Sequence, residues 1–210
     1  MEKIVVSKVL MQAAALESIV EISTPLIKMQ RKITSGDSTN IEAQAARYYW
    51  PRIMGSGFRR DLGAEDENAL LNYGYTVPRA AAARAVVATG LHPTIGLFHS
   101  NRGNAFALAD DLMEPFRPLV DCAVRNIVLS RGIDVDGEAK QSLASLIEMD
   151  VPLGDAVSPV SDALIKLATS LGQSFETGKL ELALLTPSSP NVLKGLGGWL
   201  VLSLICRDTV

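Results

Sequence analysis

Residues His99 to Pro118 read HSNRGNAFALADDLMEPFRP, a lone histidine followed by three acids, Asp110, Asp111 and Glu114, within five residues. If the chain is helical from Asn104 onward, Glu114 lies four residues after Asp110 and three after Asp111, so it shares a face with each of them. Like charges on one surface repel unless something positive sits among them, and deleting one of them then relieves repulsion. Pro115 and Pro118 cannot donate the helical bonds that the carbonyls of Asp111 and Glu114 would accept, which predicts a kink or a restart just after Glu114. Such a break aims side chains into a cleft, whereas acids on an unbroken helix usually form a solvated face.

Upstream, STNIEAQAARYYWPRI (residues 38–53) places Glu42 on one helical face with Ala45, Ala46 and Tyr49, where small side chains let another helix bring the acid near His99. Two readings of Glu42 stand open. Thr39 to Glu42 matches a capping box, in which the acid reaches back to the start of its own helix. In the other reading Glu42 joins His99 and the acids after it in a hard, mostly oxygen site suited to Mg²⁺ or Mn²⁺. Cys122 and Cys206 lie far apart without a partner motif and read as reduced thiols, so a thiolate zinc site has no ligands. The chain holds no glycine-rich nucleotide loop and no Ser-His-Asp pattern. Metal-assisted phosphoryl transfer, as on a nucleic acid, is a reaction class that fits such a site.

With 210 residues, 48% hydrophobic but only 5% aromatic, the chain is long enough to bury a core of aliphatic and small side chains and is predicted to be all-α. One long amphipathic helix is expected from Glu2 to about Ile33 and a second from Ser38 to Trp50, closed by Pro51. A third is expected over Ala64 to Gly90 with a kink at Pro78, and a fourth past Pro118 to Arg131. Two more are expected over Gly137 to Met149 and from Ser158 or Ser161 to Leu171. Residues 1–186 read as one helical domain and 187–210 as a C-terminal tail of different composition. The N-terminus lacks a secretory pattern and the apolar tail is too short and glycine-broken to span a bilayer, so a cytoplasmic location is expected.

The segments NIEAQAARYYW, FRRDLGAEDENALLNYGY, ATGLHPTIGLFH and NAFALADDLMEPFRPLVD, in this order and spacing, resemble the integrase of CRISPR spacer acquisition, CRISPR-associated protein one, and most nearly the branch found with type II systems. The resemblance implies that Glu42, His99 and Glu114 are the three catalytic metal ligands for Mg²⁺ or Mn²⁺, with Asp110 and Asp111 beside the ion as supporting or alternative ligands. It implies a DNA integrase and endonuclease that joins the 3′-hydroxyl of a captured fragment to the CRISPR repeat by transesterification. The implied partners are DNA, a second copy of the chain and CRISPR-associated protein two. Ala43 departs from the glycine that many members carry after the ligand acid. Members also open with a β-rich domain, whereas this chain opens on a helical segment from Glu2, so the resemblance implies the catalytic helical domain without that N-terminal part.

The net charge of -3 is low for a DNA-handling protein, but its distribution is uneven. From Asn40 to Arg131 there are ten basic residues, every one an arginine, against nine acids. Arginine grips phosphate through paired donors, and Arg59, Arg60 and Arg102 are the candidate backbone contacts, with Tyr73 as a candidate stacking or hydroxyl contact. The competing reading is a non-catalytic helical assembly module of the acquisition complex, in which Glu42 caps, His99 packs and the acids bind a partner. A carboxylate-bridged di-iron bundle is the weaker third, because its E-x-x-H pairs are absent.

Overall fold

The first thirty residues do not form the single helix expected of them. Helix α1 (Glu2–Ser18) stops and α2 (Thr24–Gln30) starts afresh in the computed structural model, which describes residues 2–19, 21–36, 39–98 and 103–187. Pro25 is the cause: inside a continuous helix it would delete a bond and clash with the preceding turn, whereas the first turn of a new helix tolerates it. Ser18 Oγ donates to the Ala15 carbonyl at 2.7 Å and the amides of Ile19 and Glu21 turn back to the Leu16 carbonyl, which closes α1.

The remaining elements are α3 (Ile41–Ile53), α4 (Glu67–Ala88), α5 (Ala107–Leu112), a 3-10 turn (Glu114–Phe116) and α6 (Arg117–Arg131). They are followed by α7 (Gly137–Ala144), a second 3-10 turn (Ser145–Glu148), strands β1 (Asp150–Leu153) and β2 (Ala156–Pro159), and α8 (Val160–Thr177). The helical class is as expected, and the differences are local. Pro51 does not close the second helix but lies inside α3, which ends two residues later at Ile53. Pro78 lies inside one uninterrupted α4. The hairpin was not foreseen: β1 and β2 pair antiparallel, Val151 opposite Ser158, around a turn at Gly154 and Asp155 with Gly154 at φ 63°. A Gly-Asp step between short apolar runs is the sequence signal that marks it. Helix α8 runs past Leu171 to Thr177, with Val160, Ala163, Leu164, Leu167, Ala168 and Leu171 buried at helical spacing, and ends where Gly178 turns left-handed at φ 68°.

Helix α1 is buried on most sides rather than along one stripe, because α2, α3, α6, the first 3-10 turn and the segment after α8 all pack around it. Ser7 Oγ donates to the Leu185 carbonyl and Lys3 Nζ to the Leu180 carbonyl, tying that segment across the helix. The long α4 lies against α5, α6, α7 and α8. Its contact with α6 is close enough that a Cβ on Gly74 would sit 2.5 Å from Val120 Cγ1, so glycine there sets the interhelical distance.

A buried polar node joins three helices. Asp121 of α6 accepts hydrogen bonds from the hydroxyls of Tyr49 in α3 and Tyr75 in α4. Burial pushes the Asp121 carboxyl up to about 6, although both tyrosine hydroxyls favour the ionised form. Its folded pKa therefore exceeds the unfolded value of 3.8, and the folded protein holds the proton more tightly. The contribution of Asp121 to stability is fully present below pH 4 and declines as pH rises to about 6, by on the order of 3 kcal/mol at most. Urea unfolding of wild type and Asp121→Asn across pH 4 to 7 checks this: the wild type should lose stability relative to the variant through that window. A pH-independent difference would contradict it.

Candidate active site

Glu42 and Glu114, 72 positions apart in the chain, reach the same point. Glu42 stands in the first turn of α3, and Glu114 opens the 3-10 turn between α5 and α6. Between them lies Lys8 of α1, whose Nζ is 2.6 Å from Glu42 Oε1 and 2.7 Å from Glu114 Oε2. Arg117, the first residue of α6, places Nη2 3.1 Å from Glu114 Oε1, so the two oxygens of Glu114 face two different cations. The side chains of Lys8, Glu42 and Glu114 are 15%, 27% and 7% exposed. Burial works against the Lys8 charge, but the carboxylates of Glu114 and Glu42 together hold its pKa above the ordinary lysine value.

The capping reading of Glu42 loses its geometry here. The residue before α3 is Asn40, in a left-handed conformation and without a side-chain cap bond, and Glu42 extends to Lys8. The restart expected at Pro115 is present, and it changes what the other acids do. Helix α5 begins at Ala107 rather than Asn104 and ends at Leu112, so Glu114 no longer continues the helical face of Asp110 and Asp111. Each acid takes its own partner, and the mutual repulsion expected of the three gives way to separate compensation. Asp110 accepts from Arg79 Nε at 2.6 Å and from Asn104 Nδ2 at 2.7 Å. Burial would raise its pKa, yet these two donors hold it below the usual carboxylate value. Asp111 is fully buried, and its Oδ2 accepts from the backbone amides of Leu97 at 2.6 Å and Phe98 at 3.0 Å. It thus anchors the peptide that leads directly into position 99.

His99 and Arg102 lie outside the described residues. Among the described residues, no cluster of three histidine, cysteine or acidic side chains gathers around one point. The remaining candidates are dispersed. Arg59 is exposed, whereas Arg60 bonds to Asn68 Oδ1 at 2.8 Å and Asn72 Oδ1 at 2.6 Å, fastening the loop to the start of α4. Tyr73 is partly buried against the core, with Lys140 Nζ 5.7 Å from its ring centre.

Lys8, Arg117 and the Asp121 node escaped the sequence reading. Lys8 had a signal: it falls one turn after Ile4 in a stretch, Ile4 to Met11, that is otherwise apolar or small, where a solvated lysine is out of place. Arg117 follows Glu114 by three residues, and Asp121 interrupts the apolar run of α6.

The donor set suits a hard divalent cation, since two carboxylates from separate elements already converge on a positive charge. Buried Gln12 Oε1, one turn from Lys8, Arg117 Nε, beside Glu114, and Glu114 Oε2, which meets Lys8 as an ion pair only, lack hydrogen-bond partners, so polar capacity remains around the pair.

The family model described as CRISPR associated protein Cas1 matches residues 7–148. The CRISPR-associated endonuclease Cas1 of Neisseria meningitidis serogroup C (strain 8013) is 49% identical over 94 residues, covering 44% of this chain and 30% of that protein. The chain therefore spans less than a third of that relative's length in the match. A casposase bound to integration product shares the fold with a TM-score of 0.73 at 20% identity, over 90% of this chain and 63% of that one. A chain of a Cas6-RT-Cas1–Cas2 complex shares it with a TM-score of 0.71 at 18% identity, over 90% of this chain and 25% of that one. The family match takes in Lys8, Glu42, His99 and Glu114 together and covers more than half of the sequence: this chain belongs to the CRISPR-associated protein Cas1 family.

Proposed function

We propose that this chain is the catalytic helical domain of a CRISPR adaptation integrase, and that Glu42, His99 and Glu114 hold an Mg²⁺ or Mn²⁺ ion at the point where the two carboxylates meet. The observation that supports it is the convergence of Glu42 and Glu114 on one cationic position. A divalent ion bound there polarises a phosphodiester, lowers the pKa of an attacking hydroxyl and stabilises the leaving oxygen. The reaction is a transesterification at the edge of a CRISPR repeat. The 3′-oxygen of a captured DNA forms a bond to phosphorus while the bond from that phosphorus to a bridging deoxyribose oxygen breaks, and no nucleotide triphosphate is consumed. Attack by water in place of the 3′-hydroxyl gives endonuclease cleavage.

The chain's own residues do the positioning. Arg117 holds one oxygen of Glu114, while the other faces Lys8. Asp111 fixes the peptide entering His99. Exposed Arg59, with Arg102, neutralises DNA phosphates, which makes binding fall with salt and depend little on sequence. Family membership extends the proposal to Cas2 and a second copy of the chain as partners. Among the described residues no helix is long and apolar enough to cross a membrane.

A second reading, a non-catalytic helical assembly module, has one observation in its favour. The ammonium of Lys8 and the guanidinium of Arg117 already compensate the two acids, as a purely structural ion cluster would. Strand transfer separates the two. Labelled DNA with a free 3′-hydroxyl, incubated with a repeat-containing duplex and this chain or the full-length Neisseria relative, should give joined product with Mn²⁺ and none with chelator. Failure of both proteins to join DNA with Mn²⁺ would favour the module.

A further inference from the structure

Lys8 is the one described cation in contact with both Glu42 and Glu114, and it comes from a helix that carries neither of them. Its ammonium makes an ion pair of hydrogen-bond length to each acid. A divalent ion held by Glu42 and Glu114 would compete with the ammonium for these oxygens. Both cannot hold them at once, because the lysine charge and a divalent ion share the same small set of acceptors and repel strongly where water is sparse. Lysine suits an occupant that must leave, being a compact charge on a flexible four-carbon stem, and its side chain keeps contact with solvent. Glu114 does not lose all compensation when Lys8 departs, since Arg117 stays on its other oxygen.

We propose that Lys8 is a resident counter-cation of this site: it holds Glu42 and Glu114 together before metal arrives, and it is displaced when the ion binds. The inference rests on the metal reading of Glu42 and Glu114 given above. Its consequence is that Lys8 sets a threshold for loading, so that only an ion able to outcompete a paired ammonium enters. It also removes the need for the empty pair of acids to face each other uncompensated during folding.

The test is Mn²⁺ titration of the purified chain by calorimetry, with wild type beside Lys8→Met, which is unbranched and one atom shorter and removes the charge. Lys8→Met should bind Mn²⁺ more tightly than wild type by about tenfold or more, the range of a typical coupling between two ligands. Without metal it should melt at a lower temperature than wild type, and saturating Mn²⁺ should raise its melting temperature by more than it raises that of wild type. Lys8→Gln, which still donates a hydrogen bond to the acids, serves if Lys8→Met does not fold in the absence of metal, and the same direction of change is expected. Equal Mn²⁺ affinity in wild type and variant, or weaker binding by the variant, overturns the displacement of Lys8 while leaving the metal reading intact. Absence of Mn²⁺ binding in wild type and both variants overturns the metal reading and the proposal together.

Discussion

If Glu114 holds the ion as proposed, Glu114→Gln should reduce Mn²⁺-dependent strand transfer on the order of 10³-fold or to background, because it would remove a charged ligand. Glutamine keeps the shape and one acceptor oxygen, so the loss reports charge and coordination rather than a hole. The folded state should weaken as well. Glu114 is 7% exposed and sits between Lys8 and Arg117, and neutralising it leaves part of two cations uncompensated. Removing one partner of a buried pair costs about 3–5 kcal/mol, and the continued contact of Lys8 with Glu42 places this variant at or below the lower end. This reverses the expectation from sequence, in which three crowded acids gain from losing one. A variant that keeps strand transfer within about tenfold of wild type would remove Glu114 from the ligand set, since even residues behind the ligands typically cost 10- to 100-fold.

The second large effect is at Asp111. This carboxylate is fully buried and accepts two backbone amides, from Leu97 and Phe98, which enter position 99. Hydrogen bonds to a charged group contribute about 1.5–3 kcal/mol each, so Asp111→Ala should lower stability by roughly 3 kcal/mol or more. It should also weaken Mn²⁺ binding and strand transfer by about 10- to 100-fold, through loss of the fixed approach to His99 rather than loss of a ligand. Asp111→Asn retains an acceptor oxygen for the amides and should recover most of the stability and part of the activity. If Asn behaves as badly as Ala in metal binding while restoring stability, Asp111 is itself a ligand.

The contrast between these two acids shows where reading the sequence succeeds and where it stops. The helical class follows from composition and period, and the pairing of Glu42 with Glu114 follows from the motif segments. The restart at Pro115 follows from the missing amide. The division of labour among Asp110, Asp111 and Glu114 does not. Helical spacing puts Glu114 on the face of the other two, but α5 ends at Leu112 and a 3-10 turn with a different rotation per residue follows, so Glu114 points elsewhere. The partners that decide each acid's role come from distant segments: Arg79 from α4, the Leu97 and Phe98 amides from a loop, and Lys8 from α1. No local pattern names them. Lys8 was hidden for a related reason. A lysine within an apolar stripe is ordinarily discounted as a chain reaching to solvent, and its burial is known only once α2, α3 and α6 close around α1. The break after Ser18 was legible in Pro25, but the apolar period on either side of it reads as continuous.

That Glu42, His99 and Glu114 surround a single divalent ion is tested most directly by anomalous diffraction from a manganese-soaked crystal. One strong manganese peak is expected within coordination distance of a carboxylate oxygen of Glu42, a carboxylate oxygen of Glu114 and a ring nitrogen of His99, with Lys8 Nζ drawn away from both acids. A peak bound elsewhere, or fully soaked crystals in which Lys8 still bridges the two acids and no manganese lies between them, would contradict it.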